Sequence, residues 1–305
     1  MGLIHRERRD IFYKIAKALG YRSRSALKLL QIHETTNILD GVIRAVDLCA
    51  SPGGFSKLLT EYVPKPEPNA APNVLGIDVQ LIVPFEGAEF WIRDITEKTL
   101  YLDILKHFGG SKVDIVVADG APDGLGTTHE DTYYQMDLVL NSLVLGISIL
   151  GEGGRFVSKV FRGKDIRHLA FIISQFFDTI LIAKPRVCRQ SSCEAFIVGK
   201  GFRMPEQLSN VDTTDLYDAF WPYVESFEDI PDDFTFDFIR CGSLQYDADA
   251  NYPTLDKEFE EKFNINDKTH LEVLQLPTTP SYKAACELKR TNNLAKVELI
   301  DKNIL

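Results

Sequence analysis

A chain of 305 residues, 45% hydrophobic and 26% charged, has apolar material for one large α/β domain with an appendage, or for two modest domains. No uninterrupted apolar stretch approaches the ~20 residues of a membrane-spanning helix, and the opening MGLIHRERRD lacks a signal peptide's apolar core, so a cytoplasmic protein with no membrane attachment is expected. Cys49, Cys188, Cys193, Cys241 and Cys286 are scattered without a C-x-x-C pair, which argues against a disulfide framework or a zinc site, and no metal is expected.

The net charge of −10 is unevenly spread. Residues 1–203 carry 25 Lys and Arg against 23 Asp and Glu, whereas residues 204–305 carry 9 against 21. The division places a catalytic domain at 1–203 and an acidic, partly ordered extension at 204–305. The first 30 residues oppose Arg6, Arg8, Arg9, Lys14, Lys17, Arg22, Arg24 and Lys28 to only Glu7 and Asp10. That basic N-terminal helical segment suits phosphate contacts or a solvated helix face.

The run Arg44-Ala-Val-Asp-Leu-Cys-Ala-Ser-Pro-Gly-Gly-Phe55 predicts a buried strand, a tight turn at Gly53 and Gly54, and an amphipathic helix over 56–62. Such a turn lets a ligand approach bare backbone. Without a spaced G-x-G-x-x-G it suits a cofactor lacking phosphates, such as S-adenosylmethionine, better than a dinucleotide. Further strands are predicted at 74–79, 89–93, 113–119, 155–161, 180–184 and 195–199. Helical periodicity fills 100–108, 133–150 and 165–176. Seven strands alternating with helices predict a Rossmann-like, mostly parallel sheet covered on both faces, with ligands beyond the strands' C-terminal ends.

Residues just after those strands are polar. Asp78 closes the second strand, where a carboxylate can accept both hydroxyl protons of a ribose diol. Asp94 closes the third and can meet an adenine amine or cap a helix at Ile-Thr-Glu-Lys. Asp119 follows the apolar run Ile115-Val-Val-Ala118, Lys159 interrupts the strand 155–161, and Glu194 opens Ala195-Phe-Ile-Val198. A lysine buried between Phe156 and Phe161 needs a carboxylate partner. With Lys28, these residues read either as ion pairs stapling strand ends or as a cluster around a reacting hydroxyl.

Tyr21-Arg-Ser-Arg-Ser-Ala-Leu-Lys-Leu-Leu30, Ala45-Val-Asp-Leu-Cys-Ala50, Asp119-Gly-Ala-Pro-Asp123 and Lys159-Val-Phe-Arg-Gly-Lys164 resemble motifs of the FtsJ-like ribose 2′-O-methyltransferases. Ala183-Lys-Pro-Arg186, Ser191-Ser-Cys-Glu-Ala-Phe196, Cys241-Gly-Ser-Leu-Gln245 and the stretches 247–252 and 277–290 resemble the eukaryotic tRNA anticodon-loop subgroup. The resemblance implies a class I methyltransferase fold and a catalytic tetrad of Lys28, Asp119, Lys159 and Glu194, with Lys159 as proton acceptor. It implies S-adenosylmethionine contacts from Gly53, Phe55, Asp78, Asp94 and Asp119.

The turn departs from the family's usual Ala-Ala-Pro-Gly-Ser-Trp at Gly54 and Phe55, and the segment 123–130 lacks the subgroup's usual Asp-Val-Thr-Gly. The implied reaction is 2′-O-methylation at anticodon-loop positions 32, 34 or both. Ribosomal RNA, an mRNA cap, or a non-catalytic RNA-binding role are the alternatives. RNA phosphates are expected at Arg22, Arg24, Arg162, Lys164, Lys184 and Arg186. A small-molecule methyltransferase would leave those cations unexplained.

The extension holds Phe220-Trp-Pro-Tyr223 and Phe234-Thr-Phe-Asp-Phe-Ile239, too aromatic for a simple disordered tract. Part is expected to dock on the catalytic domain. The remainder is expected to face an auxiliary subunit that selects the nucleotide, a WD-repeat protein for position 34 or a helical-repeat protein for position 32.

Overall fold

The computed structural model describes residues 10–68, 70–122, 128–227, 229–243, 245–249 and 257, with only the backbone described at 128–131. Arg6, Arg8, Arg9, Cys286, the stretch 277–290 and the start of the segment after Pro122 lie outside the described residues.

The order is α1 (Ile11–Ala18), α2 (Ser25–Thr36), β1 (Ala45–Leu48), α3 (Gly54–Tyr62), β2 (Val74–Asp78), β3 (Ala88–Ile92), α4 (Leu100–His107) and β4 (Val113–Ala118). Then come α5 (Thr128–Ile149), β5 (Leu150–Phe161), α6 (Ile166–Ser174), β6 (Phe177–Pro185), β7 (Glu194–Phe202), α7 (Glu206–Ser209), α8 (Leu216–Glu225) and β8 (Asp237–Cys241). The strands form one sheet in the order β3-β2-β1-β4-β5-β7-β6-β8. Only β7 runs antiparallel, to both of its neighbours.

Helices cover both faces, so the central strands are apolar on both sides rather than alternating. Ala45, Ile115 and Val117 face a layer built by α1, α2 and α3, with Phe12, Leu29 and Leu58 at its centre. Val46, Leu48 and Val116 face the opposite layer, built by α4, α5, α6 and α8 around Leu143, Phe156 and Ile173. Asp10 starts α1 by accepting the Phe12 N–H at 2.9 Å.

The sequence predicts seven strands, but the sheet has eight. The eighth, β8, lies past the 203/204 division and pairs in parallel with β6, from Leu181↔Asp237 to Pro185↔Cys241. This five-residue strand, Asp237-Phe-Ile-Arg-Cys241, lies in an acidic region and buries Cys241 and half-buries Ile239 while leaving Phe238 exposed. Helix α8 likewise belongs to the core. Phe220 is fully buried with its ring centroid 5.9 Å from that of Phe176. Trp221, Tyr223, Phe234 and Phe236 pack around the same layer.

Residues 216–241 therefore stabilise the sheet. Phe220→Ala should destabilise the protein by about 3–5 kcal/mol, the scale of an aromatic cavity in a close-packed core. Urea unfolding checks this, and a loss below about 1 kcal/mol would show that α8 adds little to the fold.

Candidate active site

The parallel strands β1, β2, β4 and β5 end on one side of the sheet, and antiparallel β7 begins there. Its first residue, Glu194, consequently pairs with Phe161 at the end of β5. Asp119 follows the last residue of β4, Lys159 lies two residues from the end of β5, and α2 carries Lys28 over the same edge. Sheet topology thus brings together four charged residues spread over more than half the chain.

The four form one ion-pair network. Lys28 Nζ lies 2.5 Å from Glu194 Oε1 and 3.4 Å from Asp119 Oδ1. Lys159 Nζ lies 3.3 Å from Asp119 Oδ1 and donates to the Asp119 backbone carbonyl at 2.9 Å. All four side chains are mostly buried, at 10% to 19% exposure. Burial raises the Asp119 carboxyl, but the charges of Lys159 and Lys28 and a hydrogen bond from Ser25 outweigh it and hold the group below its ordinary value. Burial opposes the charge on Lys28, yet Asp119 and then Glu194 outweigh it, so this ammonium is held above its ordinary range. Lys28 is a fixed cation and Asp119 a fixed anion.

Three supports of the network carry no sequence signal that singled them out. Gln135 of α5 is buried, and its Nε2 donates to the carbonyls of Gly120 at 3.2 Å and Lys159 at 2.8 Å. Cys188 donates through sulfur to Glu194 Oε1 at 3.5 Å; burial and then the charge of Glu194 push this thiol up to about 12, so it stays protonated. Gly120 permits close approach, since a Cβ there would lie 2.7 Å from Leu138 Cδ2 and 2.8 Å from Cys49 Sγ.

The cofactor-binding candidates divide. Gly53 has φ +93°, and a Cβ there would lie 3.2 Å from Phe85 Cε1 and 3.4 Å from Ile82 Cγ2, so glycine is required where the loop after β2 crosses the turn. Asp78 accepts the Ser51 and Gln80 N–H groups, each at 2.8 Å, and burial raises its pKa. Asp94 is exposed; it accepts Thr96 N–H at 2.9 Å, and Glu97 accepts its own N–H at 3.0 Å, closing a turn rather than capping a helix, since the next helix begins at Leu100. Phe55 faces inward. Its ring points into the core, 2% exposed and 6.1 Å from the Phe196 ring, because the second residue of α3 faces the sheet.

The RNA-contact candidates also divide. Arg22 stacks 4.5 Å from the centre of the Phe85 ring and donates to the carbonyls of Val83 and Pro84, tying the N-terminal segment to the loop over Gly53. Arg24 pairs with Asp10 and donates to the Val187 carbonyl. Lys184 is buried and donates to the carbonyls of Ser192 at 2.6 Å and Glu194 at 3.1 Å. These three cations are engaged by protein groups, and Lys184 alone among them holds the backbone of a tetrad residue, Glu194. Arg186 is half-buried and donates to the Gly242 carbonyl at 3.2 Å. Arg162 and Lys164 are exposed at the rim.

The model of the FtsJ-like methyltransferase family matches residues 21–202, which span every one of these groups. The chain belongs to the FtsJ-like methyltransferase family. A human protein named tRNA (cytidine(32)/guanosine(34)-2′-O)-methyltransferase is 38% identical over 97% of this chain and 88% of its own length. A Schizosaccharomyces pombe protein of the same name is 37% identical over 97% of this chain and 100% of its own length. A Drosophila melanogaster tRNA (guanosine(34)-2′-O)-methyltransferase is 38% identical over 83% of this chain and 82% of its own. A Plasmodium falciparum crystal structure described as a ribosomal RNA methyltransferase shares the fold, with TM-score 0.52 and 21% identity over 60% of this chain and 98% of that one.

This FtsJ-like methyltransferase takes its methyl group from S-adenosylmethionine, and the strand ends fit that donor. Asp78 and Asp119 stand at or beside the ends of β2 and β4, two carboxylates suited to a sulfonium cation, and Asp47 lies buried near the end of β1. The Asp78 carboxylate accepts backbone N–H groups on both oxygens, and its remaining lone pairs leave acceptor capacity for a ribose diol.

Asp47 itself is fully buried against Ser56 Oγ at 2.5 Å. Burial first, with the charges of Asp119 and Asp78, raises its pKa to about 8 despite the Ser56 hydrogen bonds. The unfolded carboxyl ionises near ~3.9, so between about pH 4 and 8 the folded state holds a proton that the unfolded state has lost, and stability falls as pH rises through that window. Asp47→Asn should remove this fall. Urea midpoints for both proteins from about pH 5 to 8 check it, and parallel curves would place Asp47 in its ionised form.

Proposed function

We propose that this protein transfers the methyl group of S-adenosylmethionine to ribose 2′-hydroxyls of the tRNA anticodon loop, at position 32, position 34 or both. The convergence of Lys28, Asp119, Lys159 and Glu194 on one strand-end edge carries the reaction type. The names of the curated relatives, matched over nearly the whole chain, support the substrate class.

S-adenosylmethionine, when bound, supplies an electrophilic methyl group. A ribose hydroxyl is a weak nucleophile near neutral pH, so the protein must take its proton and aim its oxygen. The two lysines are not equivalent for that task. Lys28 faces two carboxylates, which hold it charged, whereas Lys159 shares only Asp119 and its backbone carbonyl. Lys159 is therefore the assigned proton acceptor. Asp119 stabilises the ammonium formed on it. Glu194 anchors Lys28. General-base assistance is worth on the order of 10² to 10⁴-fold, with orientation of the hydroxyl adding to it.

Selection of the nucleotide is assigned to an auxiliary subunit, a WD-repeat protein for position 34 or a helical-repeat protein for position 32. Support comes from the resemblance of the C-terminal stretches to the anticodon-loop subgroup.

One experiment tests the set. Purified protein, with and without cell extract, is given S-adenosylmethionine and tRNA, ribosomal RNA or capped mRNA, and methyl groups are mapped. Methylation of tRNA at 32 or 34 that the extract stimulates, and its loss in folded Lys159→Ala that still binds S-adenosylmethionine by calorimetry, is the expected result. Parental rates in Lys159→Ala would reduce Lys159 to a structural ion-pair partner, preferred use of another RNA would overturn the substrate, and equal rates without extract would remove the auxiliary subunit.

A further inference from the structure

Methyl transfer as derived above makes no use of two aromatic side chains at the rim of the site. Tyr133 and Tyr134, early in α5, are 72% and 49% exposed, and their rings meet edge to face with centroids 5.9 Å apart. Among the described residues Tyr133 is the most exposed large apolar side chain, whereas Tyr21 and Tyr101 are buried. Two adjacent rings left in water, each apolar in body and polar at its tip, suit a binding surface.

Their place is fixed on both sides. Gln135, next in sequence, clamps the carbonyls of Gly120 and Lys159. Thr132, just before the pair, borders the loop after β5, since a Cβ on Gly163 would lie 3.4 Å from Thr132 Cγ2. That loop carries the exposed cations Arg162 and Lys164. The aromatic pair is thus flanked in the chain by Gln135, which holds the Lys159 backbone, and by Thr132, which borders the loop of the two cations.

Proteins read single-stranded RNA by stacking unpaired bases on aromatic faces while nearby cations meet the phosphates. We propose that Tyr133, braced by Tyr134, is the stacking platform for the base adjacent to the methylated nucleotide, with Arg162 and Lys164 meeting the flanking phosphates. This deepens the reading of a tRNA loop as substrate and rests on it. The platform holds the loop at the site; Tyr133 contributes binding and takes no proton.

The test is a double-mutant cycle between protein and RNA. Full-length protein, parental, Tyr133→Ala or Tyr133→Phe, is assayed on tRNA that is intact or abasic at either neighbour of the methylated nucleotide. Tyr133→Ala should raise KM for tRNA about tenfold, the scale of one lost stack, with kcat and S-adenosylmethionine affinity unchanged and Tyr133→Phe near parental. An abasic neighbour should raise KM by a similar factor for the parental protein and add nothing to Tyr133→Ala. A KM for Tyr133→Ala within twofold of parental, or effects of the two changes that simply multiply, overturns the proposal.

Should no tRNA be methylated, the substrate reading fails and stacking is read separately, with a single-stranded RNA carrying 2-aminopurine. Quenching by the parental protein that Tyr133→Ala loses supports the platform. Equal quenching by both proteins, or none by either, removes it.

Discussion

Asp119 is shared by two ammonium groups, and the chemistry of the site depends on that sharing. A carboxylate buried beside one lysine would make an ordinary ion pair, whose desolvation cost offsets much of its attraction. Here Glu194 takes part of the charge of Lys28 at 2.5 Å, while Lys159 depends on Asp119 alone for a carboxylate. The asymmetry gives the two lysines different partners, two carboxylates for Lys28 and one for Lys159. It is a property of the sheet as much as of the residues, because Glu194 reaches the site only through antiparallel β7.

The rest of the molecule holds that geometry. Lys184 grips the carbonyls on either side of Cys193, Arg24 and Gln31 hold the Val187 backbone, and Arg186 ties the same segment to Gly242 beyond β8. The acidic region after residue 203 thereby acts on the site through β6 and β8. Basic residues that resemble an RNA-binding surface in sequence are in several cases internal struts. Arg162 and Lys164 remain at the rim, where Tyr133 and Tyr134 stand.

Much of this was legible in the sequence because parallel strands buried on both faces are continuous apolar runs, and β1, β2 and β4 contain them. Strand-end placement then drew attention to Asp78 and Asp119, while the buried position of Lys159 demanded a partner. Other features were hidden for physical reasons. The strand β8 pairs by backbone at a sheet edge, is five residues long and lies in an acidic region, so the pattern marking it was too short. Gln135 acts through an amide on two carbonyls, a task that any helix glutamine could perform in principle. The inward turn of Phe55 depends on where α3 meets the sheet, and that helix phase is set by packing against Phe196.

The most direct test of the shared carboxylate is the single-turnover rate of tRNA methylation by Asp119→Asn, measured with saturating S-adenosylmethionine on protein verified as folded. The amide keeps the shape of the side chain but removes the charge that both lysines share. A rate at least about 10²-fold below parental is predicted, the low end of general-base assistance. A rate within about threefold of parental, roughly 0.6 kcal/mol, would contradict the account by showing that the charge of Asp119 does not organise the reaction.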